Sequence, residues 1–268
     1  MLWPTRQDSI LPEAVRILLT NDDGVHSPLL AALATLLDAL GDVDVIAPAG
    51  DMTGVSRSLS LHGPIAVDEI ELPDGRAAFA VGGTPADCVR FAALGLAGDP
   101  PDVVVSGPNK GLNLGDDVAY SGTVAAALEG AMLGFPAVAL SQAGDAERGF
   151  DADELGRFTV RLVPLLASGA LPPGVVINVN APEGAVAGVR VAHLGRRRYR
   201  PQLRPAGEAE GGRRHYRLYG SGSPRLEGDP GTDIAAVADG FISLTPLRFD
   251  LFADDALAAL TALLPEGG

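Results

Sequence analysis

The sequence has little of what disulfide-stapled, membrane-spanning or nucleic-acid-binding proteins need. Its 268 residues include one cysteine, Cys88, which excludes an intrachain disulfide. No uninterrupted apolar run reaches the roughly 18 residues of a membrane span, and the first residues lack the basic start and long apolar core of a secretory signal. A single lysine, Lys110, and a net charge of −14 argue against a broad basic surface for nucleic acid. We therefore expect a cytoplasmic protein without membrane or nucleic-acid partners, in which an anionic ligand would need a local attraction such as a bound cation.

Apolar, β-branched runs alternate with helical patterns along most of the chain. Runs such as "VRILLTN" and "GVVINVN" are strand-like, and helices are expected to begin near Ser27-Pro28, Thr84-Pro85 and Ser121. The alternation predicts an α/β fold, a three-layer α/β/α sandwich around a mainly parallel, Rossmann-like sheet. From about residue 185 the pattern changes to polar, Arg-rich runs about a Gly-rich turn, followed by "FISLTPL" and a short helical tail. This change predicts a C-terminal β-hairpin extension that protrudes from the core.

Three predicted strands end in polar or Gly-rich loops, which would meet at the carboxyl edge of a parallel sheet, where ligands bind. The loops are "TNDDG", "APAGDMTGVSRS" and "SGPNKGLNLGDDVAYSGT". Their donors are all oxygen atoms, which favours a hard divalent cation over structural zinc. The candidate donors are Asp22, Asp23, Thr53, Ser56, Ser58, Asn109, Asn113, Asp116 and Asp117.

The adjacent carboxylates Asp22 and Asp23 are the feature that most needs an explanation. Two like charges at a strand end repel each other, and a divalent ion between or beside them relieves the repulsion. The alternative is a solvated turn closed by an Asx hydrogen bond. The start of the helix at Ser121-Gly122-Thr123 likewise has two interpretations, a set of phosphate donors together with the Gly-rich backbone around Gly107, or an ordinary helix cap.

Other polar residues of these loops also have a functional and a structural interpretation. His26 could carry a proton, but a surface position is favoured, and for Lys110 phosphate steering and a solvated charge are left open. We favour a structural role for Asp116 and Asp117 and a buried apolar role for Cys88. The Arg-rich runs of the hairpin favour a solvated or subunit-contact face, with nucleotide or polyphosphate attraction as the alternative; they are Arg196-Arg197-Arg198 and Arg213-Arg214.

Three segments, "TNDDGVHSP", "SGPNKGLNLGDDVAYSGTVAAALEG" and "GTPADCV", together resemble the SurE family, the stationary-phase survival protein E family of metal-dependent phosphatases. The resemblance covers nearly the whole chain from about residue 15. It implies a single SurE-like α/β domain over residues 15–268, preceded by an N-terminal extension over residues 1–14. The hairpin and an oligomerisation segment would lie within residues 185–250, and a homodimer or homotetramer is expected.

The resemblance also implies an activity, the hydrolysis of nucleoside monophosphates to nucleoside and phosphate, with 5′-nucleotides as substrates and 3′-nucleotides left open. One divalent ion per subunit, Mg²⁺ or Mn²⁺, would be held by Asp22, Asp23, Asn109 and a hydroxyl of the second loop. That hydroxyl belongs here to Thr53, where many relatives have serine, and Ser56 is the alternative. Asp22, Asp23 and Asn109 would carry the catalysis, and the expected phosphate contacts are Asn21, Gly107, Ser121, Gly122 and Thr123.

A non-catalytic nucleotide-binding α/β module is the alternative function, because a doubly wound sheet binds many ligands. Against it, the first strand is not followed by G-x-G-x-x-G, and the sequence contains no G-x-x-x-x-G-K-[ST] motif. A haloacid-dehalogenase-type phosphatase would need aspartates two residues apart after the first strand, whereas Asn21 and Asp23 flank Asp22 here.

Overall fold

A computed structural model describes residues 14–144, 153–198, 201–208, 214–219 and 225–264. Residues 1–13 of the predicted N-terminal extension and the Gly-rich turn at 209–213 lie outside the described residues. The strands are β1 (Ile17–Thr20), β2 (Val43–Pro48), β3 (Val67–Glu71), β4 (Ala77–Val81), β5 (Val103–Lys110), β6 (Ala137–Gln142), β7 (Val175–Ala181), β8 (Gly188–Val191), β9 (Arg196–Arg198), β10 (Pro201–Glu208), β11 (Arg214–Tyr219), β12 (Arg225–Glu227) and β13 (Phe241–Arg248). The helices are α1 (Pro28–Leu37), α2 (Pro85–Ala93), α3 (Gly122–Met132), α4 (Asp153–Ala167), α5 (Asp233–Ala238) and α6 (Asp254–Ala262), with a 3₁₀ helix at Gly115–Ala119.

The main sheet has nine strands in the order β3-β4-β2-β1-β5-β6-β7-β13-β8. Neighbouring strands from β4 through β7 are parallel, whereas β3 runs antiparallel to β4 and β13 runs antiparallel to β7. The strands β1 and β6 are buried along their whole length, as expected where helices cover both faces of a parallel sheet. The predicted mainly parallel α/β fold is confirmed.

Each face of the sheet packs against its own pair of helices. Leu30 and Leu33 of α1 and Leu162 of α4 pack with Ile17 and other residues of one face. Val89 of α2 and Val124, Ala126, Ala127 and Ala131 of α3 pack on the opposite face. Because α3 presents mostly alanine to the sheet, it lies close to the strands, and its first turn reaches the edge where β1 ends.

The predicted helix starts are confirmed, although they are capped differently. Thr84 and Asp87 form a reciprocal capping box at the start of α2, and Pro85 occupies the first turn. Ser27 occupies the cap position of α1, but its side chain makes no capping hydrogen bond. None of the helices in the described part of the chain combines the length and the apolar composition that a membrane crossing requires.

The C-terminal part divides between the core and an extension. The strands β10 and β11 form the predicted antiparallel hairpin, and β9 pairs with β12 beside it. The main sheet, however, also includes β8 and β13, so part of the segment that the sequence pattern assigned to the extension completes the core. The edge pair β3–β4 was not predicted either, because three of the five residues of β3 are acidic and the strand is largely exposed.

Candidate functional site

The three polar loops lie at the point where the strand order reverses. The strand β1 has β2 on one side and β5 on the other, so the chain leaves β1 toward one half of the sheet and later returns on the other half. Open parallel sheets bind ligands outside the carboxyl ends of the strands at such a reversal. The site is therefore assembled from residues 21–24 after β1, 49–60 after β2 and 107–123 around the end of β5.

The first loop is a closed turn built by Asn21. The amide Nδ2 of Asn21 donates to the carbonyl oxygen of Gly24 at 3.0 Å, and the Gly24 N–H donates to Asn21 Oδ1 at 3.1 Å. Gly24 has a φ of 98°, and a Cβ there would lie 3.1 Å from the backbone of Gly50. The Asx hydrogen bond thus exists, but Asn21 makes it. The two carboxylates that follow Asn21 do not serve to close the turn.

Asp22 is buried against the start of α3. Asp22 is 3% exposed, and its Oδ1 accepts a hydrogen bond of 2.5 Å from the Thr123 hydroxyl. A Cβ at Gly122 would lie 2.8 Å from the Cβ of Asp22, so only glycine allows the helix to approach this closely. Burial raises the pKa of the Asp22 carboxyl, the charge of Asp23 adds to the rise, and the hydrogen bonds from Thr123 oppose it.

Asp23 is half-buried and faces the end of β5. Its Oδ2 accepts a hydrogen bond of 3.2 Å from the backbone N–H of Lys110. Burial raises the pKa of Asp23, and the negative charge of Asp51 adds to the rise, while the Lys110 N–H and ammonium act in the opposite direction. Two neighbouring carboxylates whose charged forms are both disfavoured form a site where a cation would be strongly stabilised.

The second loop is attached to both of its neighbours. The Met52 N–H donates to the carbonyl oxygen of Asp22 at 2.7 Å. Ser56 donates through its N–H to Tyr120 at 3.1 Å and through its hydroxyl to the carbonyl oxygen of Ala119 at 2.8 Å. Ser56 has a φ of 53°, a strained conformation for a residue with a side chain, of the kind found at functional sites. Thr53 lies between these anchors and is exposed.

The third loop places Asn109 and the start of α3. Gly107 has a φ of 114°, and a Cβ there would clash with the carbonyl oxygen of Leu140, which explains the glycine at this bend of β5. Asn109 donates through Nδ2 to the carbonyl oxygen of Gly111 at 3.0 Å, which orients the amide and leaves Oδ1 as its acceptor. Ser121 caps α3, since its Oγ accepts from the Val124 N–H at 3.0 Å.

A buried polar network that the sequence analysis did not predict anchors this third loop. Asn113 donates through its N–H to Asn180 Oδ1 at 2.8 Å and through Nδ2 to Ser141 Oγ at 2.8 Å. Its carbonyl oxygen accepts from Nδ2 of both Asn178 and Asn180, at 2.9 and 3.1 Å. The sequence signal was "INVN", in which alternate asparagines of a strand share one face. Asn113, weighed as a candidate oxygen donor, has its backbone and side chain engaged in this network.

The charged residues of the loop bind the base of the extension. The Asp116 carboxylate accepts from Arg196 Nη1 at 3.1 Å and from the Arg197 N–H at 3.0 Å, and Asp117 forms an ion pair with Arg197. Asp233, which was not predicted, accepts from the N–H groups of Gly115 and Gly195 at 2.8 Å each. These contacts fit the structural interpretation of Asp116 and Asp117.

The side chains of the remaining candidates, His26, Lys110 and Cys88, are either exposed or buried in the apolar core. His26 and Lys110 are exposed. Cys88 is fully buried, and burial raises the pKa of its thiol, as expected for an inert apolar position.

The donor set suits a hard cation. The described residues contain no group of three or more His, Cys, Asp or Glu side chains arranged to hold a metal ion. The predicted donors are instead the carboxylates of Asp22 and Asp23, an amide and a hydroxyl, a combination that Mg²⁺ and Mn²⁺ accept and structural zinc does not favour. The buried Asp22 and half-buried Asp23 fit the charge of such an ion.

Comparisons with known proteins agree with this fold and these loops. Residues 17–201 match the family described as survival protein SurE. A protein named 5'-nucleotidase SurE from Syntrophotalea carbinolica is 43% identical over 235 residues, covering 88% of this chain and 92% of that protein. Another of the same name from Aeromonas hydrophila is 41% identical over 259 residues, 95% of this chain and 100% of that protein. The crystal structure of the SurE protein from Aquifex aeolicus has a TM-score of 0.75 and 33% identity, and it covers 92% of this chain and 98% of that one. On the extent of these matches, together with the fold and the loops at the reversal point, the chain belongs to the SurE family.

Proposed function

We propose that this chain is a metal-dependent phosphatase that hydrolyses nucleoside 5′-monophosphates to nucleoside and phosphate. The observation that carries the proposal is the pair Asp22 and Asp23, which lies at the reversal point of the sheet with both carboxyl pKa values raised by burial. The printed names of the relatives, 5'-nucleotidase SurE, support the substrate class.

Asp22, Asp23, Thr53 and Asn109 would hold one divalent ion, Mg²⁺ or Mn²⁺. When bound, such an ion would clamp a phosphoryl oxygen and polarise water for attack on phosphorus. The chain itself orients the ligand oxygens. Thr123 holds Asp22 through a hydrogen bond of 2.5 Å, the Lys110 N–H holds Asp23, and the carbonyl oxygen of Gly111 holds the Asn109 amide.

The first turn of α3 would receive the phosphate. Helix N-termini present N–H groups and a partial positive charge to anions. Ser121 Oγ accepts from Val124, so its own proton is available for donation to a phosphate oxygen. In a chain of net charge −14, this helix end, Lys110 and the bound cation are the local attractions for a dianionic substrate. We propose contacts from Gly107, Gly122 and Thr123 in the same region, with Asn21 supporting the loop.

The proposal includes a homodimer or homotetramer in the cytoplasm. The helix α6 has no buried residue within the described chain and exposes Leu257 and Leu260, so its apolar side chains are free to pack against a second subunit. A single cysteine is compatible with a reducing compartment.

Phosphate release from 5′-AMP by the purified chain, with Mn²⁺ or Mg²⁺ and with EDTA, tests the activity. We expect metal-dependent release that EDTA abolishes and that Asp22→Asn or Asp23→Asn abolishes while the folded structure persists. The control is Asp68→Asn on the exposed edge strand β3, which removes the same charge away from the site. Binding of AMP without phosphate release at any metal concentration would instead support a nucleotide-binding module.

A further inference from the structure

The residue Asp51, which lies two positions before Thr53, accepts two hydrogen bonds from it. Asp51 Oδ1 receives the Thr53 backbone N–H at 2.7 Å and the Thr53 hydroxyl at 2.6 Å. Both hydrogen bonds reach the same carboxylate oxygen, so the proton of Thr53 Oγ1 is directed toward Asp51. The lone pairs of Oγ1 are then directed away from Asp51.

The segment that contains Asp51 and Thr53 is pinned to the carboxylate loop. The residue between them, Met52, donates its N–H to the carbonyl oxygen of Asp22 at 2.7 Å. The Asp51 carboxylate is also close enough to Asp23 for the two charges to influence each other. The hydroxyl of Thr53 is therefore oriented by one carboxylate beside the two that would hold the cation.

We propose that Asp51 is a positioning residue, which holds the Thr53 hydroxyl so that its oxygen faces the cation site of Asp22 and Asp23. The inference rests on the proposed metal-dependent function. A neutral hydroxyl can serve as a metal ligand only through its lone pairs, and its proton needs an acceptor on the far side. A carboxylate is the strongest such acceptor among side chains, and it removes the rotational freedom that a free hydroxyl loses on binding a cation.

Mn²⁺ binding measured without substrate, by the electron paramagnetic resonance signal of the free ion, tests this role in the full chain. We expect Asp51→Ala and Thr53→Val each to weaken Mn²⁺ binding by roughly ten- to a hundredfold, the range for residues that orient metal ligands. The double variant should bind Mn²⁺ no more weakly than the single variant with the larger loss. Once Thr53→Val has removed the hydroxyl, Asp51 has no ligand oxygen left to orient. Asp51→Asn keeps an acceptor oxygen and should stay within about threefold of the unchanged protein.

Asp74→Ala is the matched control, since Asp74 Oδ1 accepts the N–H of Arg76 two residues later at 3.2 Å in an exposed turn. It lies between the end of β3 and the start of β4, at the edge of the sheet opposite the site. This variant should bind Mn²⁺ like the unchanged protein.

Three results would overturn the inference. Unchanged Mn²⁺ binding by Asp51→Ala would show that Asp51 has no role. Additive losses of Mn²⁺ affinity in the double variant would show that Asp51 acts on the cation independently of Thr53. A loss of Mn²⁺ affinity in Asp51→Asn as large as in Asp51→Ala would show that the charge of Asp51 acts rather than its acceptor oxygen. Failure of the proposed function is distinguishable, because Asp22→Asn would then bind Mn²⁺ as well as the unchanged protein does.

Discussion

Replacing Gly122 by alanine tests whether the close approach of α3 to Asp22 controls the site. The added Cβ would lie 2.8 Å from the Cβ and 2.9 Å from Oδ2 of Asp22. Ordinary carbon contacts begin near 3.4 Å, so Asp22 or the helix start must move by roughly 0.6 Å. A displacement of about 1 Å can cost about a hundredfold in rate. We therefore expect Gly122→Ala to lose about ten- to a hundredfold of the phosphatase rate and to bind Mn²⁺ more weakly.

Stability should change much less than activity in this variant. Alanine favours the helix over glycine by up to about 1 kcal/mol, whereas overpacking costs about 1–3 kcal/mol, so a net loss of about 1 kcal/mol is expected. Gly50→Ala is the control, because a Cβ at Gly50 has no atom within 4 Å although the residue adjoins Asp51. Rates from phosphate release, Mn²⁺ titration and thermal unfolding separate the three quantities. A Gly122→Ala protein with unchanged rate and unchanged Mn²⁺ affinity would refute the argument from the helix contact.

Three further predictions follow from the site and the C-terminal segment. Because burial raises the pKa values of Asp22 and Asp23, Mn²⁺ affinity should begin to fall at a higher pH than it would for aspartates with ordinary pKa values. In the metal-free protein the free energy of unfolding should rise as pH falls from the raised pKa values toward the ordinary ones. A Mn²⁺ affinity that persists down to the ordinary aspartate range would contradict this. Thr53→Ser should keep Mn²⁺ affinity and rate because the hydroxyl oxygen is retained. Excess Mn²⁺ should restore part of the rate of Thr53→Val. Unchanged activity of Thr53→Val at limiting metal would mean that Ser56 or water supplies this ligand instead. Light scattering at micromolar concentration should give the mass of a dimer or larger, and Leu260→Ser on the exposed helix α6 should shift it toward monomer; a monomeric unchanged protein would refute the subunit-contact proposal.

The sequence predicted those elements whose signal lies within a short stretch of the chain. The strands β1 and β7 were predicted from continuous apolar, β-branched runs. The helices that begin at Pro28 and Pro85 were predicted from a serine or threonine followed by proline. The strand β3 was missed because it is a short, largely exposed edge strand whose charged residues resemble a loop. The strand β8 was assigned to the extension instead of the main sheet, because its sequence runs on into the Arg-rich segment. Local composition distinguishes edge strands poorly because solvent covers one of their sides.

The sequence by itself determined the fold class, the order of the loops and the chemistry of their donors. Adjacent carboxylates after a buried strand, an asparagine after a later one and a Ser-Gly-Thr helix start are local features that residue types and spacing identify.

Only the tertiary structure decided how those donors are held. Thr123 donates to Asp22 across 101 positions of the chain, and Asn113 binds Asn180 across 67. Such pairs depend on which strands the crossover helices place side by side, and local periodicity contains no information about that. The burial that raises the pKa of Asp22 also depends on the tertiary structure, because Asp22 packs against the start of α3, where a Cβ at Gly122 would lie 2.8 Å from its side chain.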